Sequence, residues 1–317
     1  MDKLYVLYST DQNYCMHLGI SLTSLLENNK KFNNIIIYII EKDIDDKNKS
    51  ILLDIVNKYN RKIKFISFNK VENRIKIDLT NSKSKSIYAR LFISNLIPES
   101  VEKILYLDCD TIVDKSLYEL WNLDIEDCYV AGVQDIVPNK YKDMIGMSES
   151  DKYINSGVLL INLRLWRKIT IEDKFLKFIE LHNGEVPHHD QGIINGVCKG
   201  KISILNMKYN VNTNCYLFTN QEVKEIYQIE NYYDSEIFEY GKDNPTIIHF
   251  TPGFVSRPWV EKCRHPKQKL YFKYRALTLW KSNNLEKDKR NLKIKIISKL
   301  YFILPKKIFI NIYKKIV

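Results

Sequence analysis

The chain has 317 residues, 45% hydrophobic and 27% charged, with only 10 glycines and 8 prolines. This excludes fibrous and disordered classes and leaves room for one large α/β domain or two smaller ones. The net charge of +11 would suit a nucleic-acid partner, but residues 291–317 hold seven lysines and no acid, leaving +4 over the other 290; that charge is too dilute, no recognition motif accompanies it, and no nucleic-acid partner is expected.

From the N-terminus, "KLYVLYS" (3–9) is β-rich and precedes a helical stretch from Tyr14 to Glu27. "NIIIYII" (34–40) is apolar throughout, as in a strand covered on both faces. Within 45–59, Leu52, Ile55, Val56 and Tyr59 mark one face of a helix, and "KIKFISF" (62–68) alternates as a strand. The polar stretch "LTNSKSKS" (79–86) predicts a loop before a helix at 87–97, and strands follow at 103–107 and 128–134. "INSGVLLINL" (154–163) reads as a long apolar strand. Thr170 and Asp173 predict a capping box for a helix striped by Ile171, Phe175, Phe178 and Ile179. "HHDQG" (188–192) opens another helix, and "IIHF" is a strand ending in His249. Such alternation predicts an α/β fold with a largely parallel sheet, whose ligands bind beyond the carboxyl ends of strands.

The six cysteines form no CxxC pair and are expected as buried, reduced thiols. The first residues lack a basic segment followed by an apolar one, and nowhere do about 18 apolar residues run together. A cytoplasmic setting is the expectation.

In "ILYLDCDTIV" (104–113), Asp108 and Asp110 follow an apolar strand, where carboxylates are costly unless something positive meets them. Read as extended backbone, the two side chains point to one side and converge on a cation. Carboxylate oxygens suit Mg²⁺ or Mn²⁺, which bind through one or two carboxylates together with substrate phosphates. A similar pair, Asp43 and Asp45, runs straight into a periodic helix and is explained by capping. Helix capping also competes for Asp190, and a place in the core competes for His249. Asn155 opens its strand with an amide able to hold hydroxyls, while His249 and Arg257 flank a Pro/Gly turn as at a metal or phosphate site.

Five segments occur in the order found in retaining glycosyltransferases of family 8, the group of bacterial lipopolysaccharide galactosyl- and glucosyltransferases and of glycogenin. They are "YSTDQNY" (8–14), "YARL" (88–91), "LYLDCDTIV" (105–113), "YINSGVLLINLRLWR" (153–167) with "HDQG" (189–192), and "HFTPGFVSRPW" (249–259). Over about residues 3–260 the chain resembles that family. The resemblance implies a GT-A fold, a Rossmann-like mostly parallel mixed sheet flanked by helices. It implies a nucleotide-sugar half at about 1–115 and an acceptor half at about 116–260 within a domain spanning 1–285. It also implies a UDP-hexose donor and Mn²⁺, with Mg²⁺ as the alternative.

Carried over by motif, Asp108, Asp110 and His249 hold the metal on the diphosphate. Thr10, Asp11 and Tyr14 contact the uracil and ribose, and Arg90, Asn155, Asp190 and Gln191 surround the donor sugar. Asp135 in "AGVQD" lines the cleft between donor and acceptor, and Gly253 and Arg257 close over the phosphates. Gln191, Asp190 and Asp135 stand nearest the chemistry. The family spaces its closing loop His-x-x-Gly-x-x-Lys-Pro-Trp; here Gly253 and Arg257 come later, and arginine replaces lysine. The expected activity is metal-dependent transfer of glucose or galactose, with retention, to a glycan, glycolipid or glycoprotein. The alternative is a non-catalytic nucleotide-sugar or glycan-binding protein of the same fold.

The tail at 286–317 sets, within residues 291–317, seven lysines among sixteen apolar residues, broken by Pro305. It predicts two short amphipathic pieces that dock the enzyme peripherally on an anionic membrane, at its inner face. Folding back of the tail onto the domain is the competing expectation.

Overall fold

The apolar runs build a mixed seven-stranded sheet in the computed structural model, which describes residues 3–74 and 85–316. Its strands are β1 (Lys3–Asp11), β2 (Asn34–Lys42), β3 (Lys62–Ser67), β4 (Lys103–Leu107), β6 (Val130–Gln134), β7 (Ile154–Asn162) and β8 (Ile202–Ile204). Their spatial order is β3-β2-β1-β4-β7-β6-β8. The first four run parallel, as the β-α-β alternation predicts, and β6 runs parallel to β8. β7 is antiparallel to both β4 and β6, and all nine of its residues are buried. A central strand covered on both faces has no solvent side to carry polar residues. A smaller sheet joins β5 (Thr111–Val113), β10 (Ile247–His249) and β9 (Val211–Asn212), with β10 in the middle.

Helices α1 (Cys15–Asn28) and α2 (Asp46–Asn57) lie where the apolar period places them, and Asp45 caps α2 by accepting from Asn48 N at 2.7 Å. The Asp43/Asp45 pair therefore has its helix-capping explanation. Two local expectations change. The stretch 87–97 is a 3-10 helix (Lys85–Phe92) and a turn, because Tyr88 to Ser94 are buried and so lack the exposed face of an amphipathic α-helix, and Pro98 stops any continuation. Helix α3 (Ile171–Leu181) forms, but Thr170 is left-handed at φ 46° and makes no side-chain cap, so the capping box is absent. Residues 79–84 of the polar stretch 79–86 lie outside the described residues. The six cysteines are free thiols, four of them buried.

Helix α4 (Asp190–Cys198) stands beside β7, and α5 (Gln268–Arg275) packs on α1. The tail forms α6 (Leu292–Ile303) and α7 (Lys306–Tyr313), which fold back on the domain. Ile297, Phe309 and Ile310 enter the main core, Tyr301 and Phe309 pack on Phe254, and Tyr301 Oη donates to Leu217 O at 2.9 Å. Before α6, Glu286 N donates to Trp259 O at 2.8 Å, which ties the tail to the loop carrying Arg257.

Candidate active site

The acidic pair sits at a seam between the two sheets. β4 ends at Leu107, and Asp108 N donates across to Gly157 O at 2.8 Å. The chain then turns, with Thr111 Oγ1 donating to Asp108 O at 2.7 Å, and enters β5, where Thr111 lies opposite His249. Asp108 and Asp110 thus converge through a turn that switches sheets, and the extended backbone expected between them is not formed. The crossing brings His249, from a strand far along the chain, against both acids.

His249 Nε2 lies 3.1 Å from Asp110 Oδ1 and 3.7 Å from Asp108 Oδ2, and one ligand atom from each residue fits within 4.8 Å of the others. The remaining carboxylate oxygens are tied back. Asp108 Oδ1 accepts from Arg90 and from Tyr106 Oη, each at 2.8 Å, and Asp110 Oδ2 accepts from Arg257 at 3.0 Å. Each acid therefore turns one oxygen toward a common point, a donor set that fits a hard divalent cation. Room for this comes from Gly157, where a Cβ would stand 2.2 Å from the His249 ring and 2.7 Å from Asp108 Oδ2. Burial alone would raise the Asp110 carboxyl, but His249 and Arg257 hold it below the usual carboxylate range. Burial alone would depress His249; Asp110 and Asp108 reverse that and raise it. A cation and a proton therefore compete for the same ring nitrogen.

Arg90 organises the next layer. Its buried guanidinium donates to Asp108 at 2.8 Å and Ser156 O at 2.7 Å, pairs by charge with Asp190 Oδ2 3.1 Å from Nε without hydrogen-bond geometry, and stacks 4.1 Å from the Tyr106 ring centre. Burial raises the Asp190 carboxyl although Arg90 opposes it. The helix-capping role considered for Asp190 is not the one observed: it is the first residue of α4, after His188 and His189 at φ 58° and 53°, and its side chain points to Arg90 and Ser156 Oγ. Asp135 Oδ2 accepts from Asn155 Nδ2 and Gln191 Nε2, both at 3.0 Å, and Gln191 Oε1 accepts from Ser156 N at 3.0 Å.

Arg90, Asp108, Asp110, Asp135, Asn155, Asp190, Gln191, His249 and Arg257 line one cleft of about 380 Å³. Tyr14, Gly253 and Arg257 line a neighbouring cavity of about 830 Å³ that reaches the tail. Thr10 and Asp11 end β1 and line neither; Asp11 Oδ1 accepts from Tyr14 N at 3.1 Å and so sets the turn that presents Tyr14. Arg257 joins the two spaces. It donates to Tyr14 Oη at 2.6 Å and to Asp110, so its later position in the closing loop still brings it to the acids.

The profile of glycosyl transferase family 8 matches residues 5–263. The chain belongs to that family. This family 8 chain is 29% identical over 282 residues to general stress protein A of Bacillus subtilis (87% of this chain, 94% of that one). It is 28% identical over 282 residues to a lipopolysaccharide 1,2-glucosyltransferase of Escherichia coli (87% and 79%). Its fold matches the galactosyltransferase LgtC, solved with donor and acceptor sugar analogues, at a TM-score of 0.72 and 23% identity, covering 87% and 96% of the two chains. The mixed sheet is thus the GT-A arrangement that the motifs imply. Motif reading missed Tyr106, Ser156 and Gly157, although all three stand inside the quoted segments. It also missed Asn210, which belongs to no motif.

Proposed function

We propose that this family 8 enzyme transfers glucose or galactose from a UDP-sugar to a hydroxyl of a glycan, glycolipid or glycoprotein, with retention and with Mn²⁺ or Mg²⁺. One observation carries the reading: two carboxylate oxygens and an imidazole nitrogen face one point in a cleft also lined by the Asp135 and Asp190 carboxylates and the Asn155 and Gln191 amides. The names of its relatives support the class of donor and acceptor. When bound, the cation supplies charge to neutralise the departing UDP. Arg257 adds charge at the same place, Tyr14, presented by the Asp11 turn, meets the uridine, and Asp190, Asn155 and Gln191 hold sugar hydroxyls. Gln191 is an amide and a poor nucleophile, and Asp190 Oδ2 is held by Arg90 and Ser156. Same-face attack fits better: the acceptor oxygen bonds the anomeric carbon as the bond to UDP breaks, and its proton passes to the leaving phosphate oxygen.

Incubation with UDP-glucose and UDP-galactose, with and without chelator, tests this. The expected result is metal-dependent release of UDP and an α-linked product by NMR. Undiminished turnover in chelator, a β-linked product, or binding without turnover of any UDP-hexose would each reject the corresponding part.

The folded-back tail suits a second role. No helix among the described residues is long and apolar enough to cross a membrane. Yet the outer side of α6 and α7 exposes Leu292, Ile296, Phe302, Ile303, Ile308 and Ile312, and Lys293, Lys299 and Lys307 beside them make no ion pair among the described residues. We propose that this face rests on an anionic membrane and presents the cleft to a lipid-linked acceptor, each lysine contributing about 1 kcal/mol. Because the inner side belongs to the core, the test replaces only outward residues, Ile296, Ile303 and Ile308, with serine. Co-sedimentation with anionic vesicles should fall at least about tenfold, neutral vesicles should bind weakly, and salt should release the wild type. Equal binding by the variant would remove the tail from the membrane reading.

A further inference from the structure

Behind the metal-facing triad stands a buried asparagine outside every motif. Asn210 ends the 3-10 turn Met207–Tyr209 just ahead of β9, the strand that pairs with β10. Its side chain touches two site residues: Nδ2 donates to Asn155 Oδ1 at 2.8 Å, and Oδ1 lies 3.0 Å from His249 Nδ1.

The direction of these bonds follows from one unambiguous donor. The backbone N–H of Gly157 donates to Asn155 Oδ1 at 2.9 Å, so that atom is the amide oxygen. The Asn155 nitrogen then faces Asp135 Oδ2, a carboxylate oxygen that accepts it at 3.0 Å. Whatever meets Asn155 Oδ1 from Asn210 must be a donor, hence its amide nitrogen, and this turns the Asn210 oxygen toward His249. An oxygen in that place accepts only from N–H, so Nδ1 carries a hydrogen. In the neutral ring the lone pair is left on Nε2, the atom 3.1 Å from Asp110 and 3.7 Å from Asp108.

We propose that Asn210 is a positioning residue for the metal centre, selecting the Nδ1–H tautomer of His249 and so making Nε2 the ligand atom. The inference rests on the metal reading given above. Through Asn155 and Asp135 the same chain of bonds reaches Gln191, so the orientation of the metal ligand and of the sugar-facing amides is set together. Outer partners of this kind typically change metal affinity by about 10–100-fold.

The test is Mn²⁺ titration of the full chain without any donor sugar, following loss of the free hexaaqua ion's EPR signal. Asn210→Leu keeps the branched shape and removes both the acceptor and the donor; its Mn²⁺ affinity should fall about 10–100-fold, while Asn210→Asp, which keeps the acceptor toward Nδ1 but sets an oxygen against Asn155 Oδ1, should lose less. A second readout needs no variant. In ¹⁵N-histidine-labelled wild type with Mg²⁺ and UDP, His249 should show a protonated Nδ1 and an unprotonated Nε2. Equal Mn²⁺ affinity in Asn210→Leu overturns the role of Asn210 while leaving the metal reading intact; the opposite tautomer in wild type overturns that role and also removes His249 Nε2 from the ligand set. Failure of the wild type to bind Mn²⁺ overturns the metal reading and this inference with it.

Discussion

Asp110→Asn should fold as the wild type does and lose sugar transfer by about a thousandfold or more, a barrier increase of roughly 4 kcal/mol. The amide keeps the shape of the carboxylate but removes the charge that faces His249 and the common ligand point. It also loses the charge-assisted bond from Arg257, so that guanidinium is freed beside Tyr14. Stability should move less. Asp110 is held below the ordinary carboxylate range, so it contributes stability above its unfolded pKa near 3.8, and that contribution is lost as pH falls below it. Its contribution is therefore present at pH 7, but burial of the charged group opposes it and Asn retains the packing. Steady-state rates with saturating Mn²⁺ and circular-dichroism melting check the two halves. Turnover within tenfold of wild type would remove Asp110 from the metal centre.

Arg90→Met should be the more destabilising change. Arg90 is buried and neutralises Asp108 and Asp190, so removing it leaves two carboxylates of one site without their shared cation. Breaking a buried pair by deleting one partner costs about 3–5 kcal/mol, which for a chain of this size lowers the melting temperature by roughly 10 °C. The pH dependence distinguishes charge from packing. Burial already raises the Asp190 carboxyl, and without Arg90 it rises further. A carboxyl whose folded pKa lies above its unfolded value destabilises at high pH, and the penalty is relieved as pH falls through the folded pKa. The deficit of Arg90→Met against wild type should therefore narrow between pH 7 and pH 5. A deficit constant over that range would mean that lost packing on Tyr106, 4.1 Å away, is the whole effect. Arg90→Lys should fall between the two, because an ammonium keeps the charge but cannot span Asp108, Asp190 and the Ser156 carbonyl together.

Local patterns in the chain determined a great deal. The uninterrupted apolar run of β2, the alternation in β3 and the stripe in α2 each state a burial requirement that neighbouring residues alone can express. The decoy acids at 43 and 45 were separable from Asp108 and Asp110 by the residues on their C-terminal side, a helix in one case and β-type residues in the other. The tail announced both its lysines and its break at Pro305.

What only the tertiary structure decided concerns residues distant along the chain. The acids converge because the backbone turns from β4 into a second sheet and pairs with β10, and neither the turn nor the partner is encoded in the two-residue spacing. Thr170 stays uncapped, and the expected helix at 87–97 becomes a 3-10 turn, because surroundings on all sides outweigh local propensity. The tail's packing was undetermined by its amphipathic pattern, since an apolar stripe is equally satisfied by lipid or by a core; Ile297 and Phe309 found the core, while Ile303 and Ile308 remain outside. Asn210 is the limiting case. Nothing in "KYNVN" marks it, because its role is defined by hydrogen bonds to side chains 55 and 39 residues away, and the directionality of such bonds exists only once the fold has brought their atoms together.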